Sequence, residues 1–206
     1  MSVLKQLVFT PRCAICKKLG SEVCQTCIES LKPFRGIDLL EVAPTFYAGE
    51  YSGWLRDSLI SYKNGDKGQT KLLASALEKT VDAFMSPQVT ILIPIPSSRQ
   101  KILDRGFDSV HNLCLSLVRE RQWLEMDPSN LYLRRPVLDQ VGLNAAQRQT
   151  NLAGAFGARK IISGTVLLVD DVVTTGATLN SAARALRFAG AQRILAVALC
   201  GTPKVG

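Results

Sequence analysis

The sequence predicts an α/β fold, a mainly parallel sheet preceded by a small module without a core of its own. Three observations carry this. From about residue 46 onward, short apolar runs alternate with stretches of helical periodicity, the pattern of parallel strands joined by helical crossovers. Four of the six cysteines, Cys13, Cys16, Cys24 and Cys27, crowd near the start in a stretch with no apolar periodicity. Near the end, an apolar run delivers two adjacent acids into a turn of small residues.

The elements follow in order. A boundary falls near Pro33, Phe34 and Arg35, giving a module over 1–35 and an α/β unit over 36–206. Phe46 to Tyr51 suits a strand. Trp54, Leu55, Leu59 and Tyr62 fit a short helix that stops at Asn64-Gly65. Leu72, Leu73, Ala76, Leu77, Val81 and Phe84 recur at helical spacing. Val89 to Ile93 is a buried-strand run ending in Pro94-Ile95-Pro96, and Val110, Leu113, Cys114, Leu117 and Val118 mark another amphipathic helix. Leu131 to Leu133 makes a short strand. Asp139 to Asn151, rich in Gln, Asn and Gly, is expected to be a mobile loop. Val166 to Val169 is a strong buried strand, Ala177 to Phe188 a helix closed by Gly190, and Ile194 to Leu199 the last strand.

Hydrophobic residues make up 47% of the 206, enough for a core. The chain has no apolar run long enough to span a membrane and no signal-like start at Met1 to Phe9, so the cytoplasm is the expected compartment. Lys and Arg total 25 against 17 Asp and Glu, a net charge of +8, which favours anionic partners, phosphorylated small molecules or nucleic acid.

The most informative segment is Val166 to Thr178. Its strand ends in Asp170 and Asp171, then Val172, Val173 and the turn Thr174-Thr175-Gly176-Ala177-Thr178 lead into a helix. Ligands of open α/β sheets bind at the carboxyl ends of the strands. Adjacent carboxylates can accept from two vicinal ribose hydroxyls. Consecutive N–H groups at a helix start, with threonine hydroxyls beside them, cradle a phosphate monoester, and Gly176 lets the backbone come close.

This segment resembles the phosphoribosyl-diphosphate (PRPP) signature of type I phosphoribosyltransferases. The resemblance implies that Asp170 and Asp171 hold the 2′ and 3′ hydroxyls, and Val172 to Thr178 the 5′-phosphate. Thr174 stands where 6-oxopurine salvage enzymes carry an aspartate. A threonine cannot accept the base's proton near neutral pH, so that substrate class is disfavoured. Ser97, Ser98, Arg99 and Arg105 are expected in a loop after a strand end, where they suit a diphosphate with its Mg²⁺.

A second set of residues extends the match: Gln140-x2-Leu143-x4-Arg148-x2-Asn151, Arg105-Gly106-Phe107 and the cysteines in the pattern C-x2-C-x7-C-x2-C. Together they resemble the ComF family, bacterial proteins named for DNA uptake in competence, from Cys13 to about Leu199. That resemblance implies a type I phosphoribosyltransferase-like domain behind a zinc module, PRPP as ligand, single-stranded DNA as a partner, and other DNA-uptake or recombination proteins as possible partners. Gln140, Arg148 and Asn151 become candidates for a flexible lid. The family usually carries Asn after Arg-Gly-Phe; here it is Asp108, which leaves that contact open.

Two C-x2-C knuckles without an export signal point to zinc rather than disulfides, and four thiolates would close the site, making it structural. His111, the single histidine, lies off the apolar stripe of its helix. Arg134-Arg135 and Arg119-Arg121 can follow a nucleic-acid backbone or form solvated faces, and Tyr47, Tyr51, Trp54 and Tyr62 can stack on bases or pack in the core. Three uses of the chain stay open: a phosphoribosyltransferase with an unidentified nitrogen acceptor, a nucleic-acid binder that uses PRPP as a ligand, and an inactive scaffold.

Overall fold

The computed structural model describes residues 10–86, 91–137 and 145–202, with only the backbone for Ala145, Ala146, Arg148 and Gln149. After helix α1 (Gln25–Ser30), the elements are β1 (Phe34–Arg35), β2 (Thr45–Glu50), α2 (Gly53–Lys63), α3 (Thr70–Phe84), β3 (Ile91–Pro94), α4 (Arg99–Arg105) and α5 (Ser109–Arg119). Then come β4 (Glu125–Met126), β5 (Leu131–Leu133), α6 (Ala145–Leu152), β6 (Phe156–Ala158), β7 (Thr165–Val173), α7 (Ala177–Phe188) and β8 (Arg193–Gly201). The main sheet has the order β1-β2-β8-β7-β3-β4, parallel throughout except at β1. β5 and β6 form a separate antiparallel pair.

The sheet is buried on both faces, so its central strands are apolar throughout rather than alternating. Leu167 and Val169 of β7, with Leu195, Val197 and Leu199 of β8, pack under α2, α3 and α5. Their neighbours Val166, Leu168, Ile194, Ala196 and Ala198 pack under α7, Leu131 and Phe156. This two-sided alternation fixes the register and sets the carboxyl ends of β3 and β7 side by side.

Three expectations are corrected. The segment 139–151 is not a loop throughout, because α6 starts at Ala145. Ala145, Ala146 and Gln147 are good helix formers, and Leu152, 2% exposed, anchors the helix to the core. The stretch after Pro96 is helical from Arg99 to Arg105, with the Ser98 hydroxyl accepting from the Lys101 N–H as N-cap. The strand before the turn does not end at Val169; it pairs with β8 as far as Val173 opposite Gly201, so the acids are part of the sheet.

No helix among the described residues is long and apolar enough to cross a membrane. The cysteine module packs against the sheet's helical layer, where Lys79 of α3 donates to the Glu29 carbonyl and Leu31 touches the core.

Candidate functional site

At the carboxyl edge of the sheet, β7, the β3–α4 turn, α2 and the β5–β6 hairpin enclose a cavity of about 390 Å³. Asp170, Asp171, Val172, Thr174 and Thr178 line it from one side, and Ser97, Ser98 and Arg105 from the other. Val173, Thr175, Gly176 and Ala177 line a small adjoining pocket of about 30 Å³, shared with Asp170, Thr174 and Thr178. Gly176 adopts the left-handed conformation, φ +74°, that starts α7. Leu39, in the strap that leads from the cysteine module to β2, closes over it: a Cβ at 176 would come within 2.3 Å of Leu39 Cδ2.

Residues far apart in sequence therefore meet here, although the cavity does not gather all the candidates. Arg99 is exposed and is not among the cavity's described lining residues. Gln140 lies outside the described residues, as does the Arg148 side chain. Asn151 sits in α6, its carbonyl accepting from Arg135 Nη2 at 2.9 Å.

Asp170 is the electrostatic centre of the site. It is 9% exposed, and one carboxylate oxygen accepts the Asp171 N–H at 2.8 Å. Burial, then the negative charge of Asp171, push its pKa up to about 7, opposed by that N–H and by Lys63 and Lys101. Sequence reasoning missed both lysines. Lys63 pairs with Asp171 at 2.8 Å, and Lys101 lines the cavity from the first turn of α4. Nothing local distinguishes Lys63 from any other lysine at a helix end; only the tertiary fold brings it to the acids.

Asp108 resolves one open point. It caps α5, accepting from the His111 N–H at 3.2 Å, and also accepts from Ser97 Oγ at 3.2 Å, so it ties the cavity's serine turn to a helix start. Tyr47 and Tyr62 are fully buried, Tyr62 donating to the Ser109 carbonyl, and so belong to the core. Tyr51 is half exposed and lines the cavity. Arg121 is buried against Asp82, whereas Arg134 and Arg184 border a separate groove of about 630 Å³ along α7 with Phe188.

The four thiols of Cys13, Cys16, Cys24 and Cys27 lie within 4.8 Å of one another, with Cys16 and Cys24 at 3.6 Å. A tetrahedron of roughly 2.3 Å Zn–S bonds has edges near 3.8 Å, so the cluster is compact enough to close on such an ion. Hydrogen bonding from the Cys16 backbone draws Cys13 down to about 6, while Cys27, sharing its proton with Cys24 and then desolvated, is pushed up to about 12. So many thiols this close cannot all ionise without a cation between them. The cluster can hold a metal ion.

The fold and this edge of the sheet define a phosphoribosyltransferase-type domain, and residues 135–204 match the family model for the phosphoribosyl transferase domain. The chain is 34% identical to competence protein F of Haemophilus influenzae over 135 residues, 63% of this chain and 58% of that one. It is 32% identical to the DNA utilization protein YhgH of Escherichia coli K12 over 54% of this chain and 49% of that one, and 27% identical to competence protein ComFC of Bacillus subtilis over 84% and 70%. The chain is a homologue of the competence F and DNA utilization proteins and matches the phosphoribosyl transferase domain over residues 135–204. Its matches span 58% and 49% of the length of the first two relatives.

Proposed function

We propose that the chain binds PRPP at this cavity and serves the handling of single-stranded DNA during DNA uptake. The observation that carries the proposal is the convergence of the acid pair, the threonine turn and the Ser97–Ser98 turn with Arg105 on one cavity. Asp170 and Asp171 accept from the ribose hydroxyls, and Val172 to Thr178 hold the 5′-phosphate with backbone N–H groups and hydroxyls. Ser97, Ser98 and Arg105 face the diphosphate, whose Mg²⁺ neutralises charge when bound. Gln140, Arg148 and Asn151, the last two on α6, close over it.

Residues 1–35 form the zinc module and 36–206 the PRPP-binding domain. Zinc is the metal that fits four thiolates, and its role is to order a segment lacking a core. The strap between the module and β2 reaches the phosphate turn through Leu39. The compartment is the cytoplasm.

DNA lacks the 2′ hydroxyl that a paired-acid site reads, so the strand runs elsewhere. The groove with Arg134, Arg184 and Phe188 offers cations and an aromatic face suited to single strands. The names of the relatives supply competence and DNA utilization, and other uptake or recombination proteins are the proposed partners.

A second use is catalysis: transfer of ribose 5-phosphate from PRPP to a nitrogen acceptor, breaking the C1–O bond to pyrophosphate and forming a C1–N bond. The intact acid pair and turn favour it, and binding both phosphates while excluding water would be the protein's task. The test is PRPP titration followed by pyrophosphate release across a panel of acceptors. Binding without release supports a ligand role, and release with one acceptor supports the enzyme. Affinity for single-stranded DNA that falls steeply with salt supports the DNA role, and salt-insensitive binding contradicts it.

A further inference from the structure

Lys63 reaches the acid pair from α2, an element outside both ligand turns. Its Nζ lies 2.8 Å from Asp171 Oδ1, and the two side chains are only 29% and 14% exposed. Both line the cavity. Lys63 is the last residue of α2, with Asn64 as C-cap. The helix is held by Leu55, Leu59 and Tyr62 in the core, and the Tyr62 hydroxyl bridges to the Ser109 carbonyl at 3.2 Å and Asn112 Nδ2 at 3.0 Å. The ammonium is thus delivered from a fixed helix end, unlike a surface lysine that finds whatever partner is near.

The acids need such a partner. A vicinal diol brings two O–H donors, and it needs acceptors that carry no proton of their own. Asp170 sits at the carboxyl end of a strand buried on both faces, beside a second carboxylate. Burial and then the Asp171 charge raise its pKa to about 7 even with the Asp171 N–H, Lys63 and Lys101 pulling it down, so without Lys63 it would hold its proton to still higher pH. A protonated Asp170 would present a donor where the sugar also presents one.

The groups facing the pair come from four elements. They are the acids themselves on β7, Lys63 from α2, Lys101 from α4, and Cys200 from β8, whose thiol burial and Asp171 push up to about 12. Arg105 of α4 lines the same cavity and donates to Ser109 Oγ at 3.1 Å. Lys63 makes a direct ion pair with Asp171.

We infer that Lys63 is a positioning residue for the ribose: its ammonium holds the Asp171 carboxylate from a fixed helix end and sets a positive charge beside the acid pair, favouring the form of the pair that accepts from the diol. The inference rests on the acid pair being the ribose site. Lys63 transfers no proton. It remains at Asp171 while the hydroxyls occupy the other carboxylate lone pairs.

The test is calorimetric titration of the zinc-loaded full chain with ribose 5-phosphate from pH 5.5 to 9. The parent, Lys63→Met and Lys63→Arg are compared, and a thermal melt of each confirms folding. The phosphate's own titration, near pH 6, is common to all three and cancels in the ratio. In Lys63→Met the midpoint of the affinity profile is expected to rise by at least about one pH unit. With the parent midpoint near 7 that is a loss of roughly fivefold at pH 7, recovered by pH 9. Lys63→Arg keeps the parent's profile, and 2-deoxyribose 5-phosphate, which lacks one of the two donors, shows a smaller shift.

A loss of the same factor at every pH would overturn the role, because it would make Lys63 a direct ligand contact or a purely structural residue. An unchanged profile, or equal sensitivity with the deoxy sugar, would overturn it too. A parent that binds no ribose 5-phosphate at any pH would instead overturn the ribose site itself, and the role of Lys63 with it.

Discussion

Replacing Asp170 by asparagine should make the ligand-free protein more stable, by an amount that depends on pH. Asp170 is buried, and its pKa stands near 7 against 3.8 for an ordinary aspartate. A raised carboxylate pKa means that the folded state holds the proton more tightly than the unfolded chain. The penalty is absent below about pH 4, grows as pH climbs towards 7, and is constant above. The full shift corresponds to roughly 4 kcal/mol. Part of it is repulsion shared with Asp171, so about half, ~2 kcal/mol, is taken as the gain from neutralising Asp170 alone. The asparagine carbonyl can still accept the Asp171 N–H. For a chain of this size the expected rise in Tm is about 4–8 °C at pH 8, shrinking to about half or less at pH 5. Thermal unfolding of parent and variant at both pH values measures it. A variant no more stable than the parent at pH 8, or a gap that does not narrow at pH 5, would refute the assignment of buried, mutually repelling carboxylates. The same variant should lose the ribose ligand, so that the group which binds is also a group which strains the fold.

Other outcomes follow from the same geometry. Gly176→Ala places a side chain on a left-handed residue and against Leu39, which should cost about 2–3 kcal/mol and weaken 5′-phosphate binding. Adding Leu39→Ala should recover only the contact part, as read by urea unfolding of the single and double variants. Arg121→Met strips donors from the Leu117 and Glu78 carbonyls and from Asp82, and should destabilise by roughly 2 kcal/mol in the same assay. Metal analysis should find one zinc per chain. A strong chelator, or Cys27→Ser, should release the zinc and lower Tm, while an unchanged melt after complete metal removal would contradict a structural role.

The contiguous part of the site was readable because one strand, two acids and one turn carry its chemistry in a single run of sequence. The mainly parallel sheet followed from apolar strands alternating with helical stretches, whereas the strand order did not. What stayed hidden depends on tertiary placement. Lys63 looks like any lysine at a helix end until α2 packs beside β7. The strap over Gly176 has no pattern of its own, yet Leu39 closes the turn. Glutamines and asparagines disguised α6 as a loop, although its alanines and the buried Leu152 favour a helix. The proline-flanked turn hid α4, because the Ser98 cap matters only once the chain leaves β3. The tyrosines illustrate the converse: their spacing allowed base stacking, but Tyr47 and Tyr62 turned out to be core residues because their rings fill space beside the sheet.

The most direct test of the PRPP site is calorimetric titration of the zinc-loaded protein with Mg²⁺-PRPP, beside the Asp170→Asn, Asp171→Asn double variant. Saturable binding by the parent at pH 8, lost in a double variant that remains folded, is the predicted result. No binding by the parent, or equal binding by the double variant, would contradict the assignment of this cavity to PRPP.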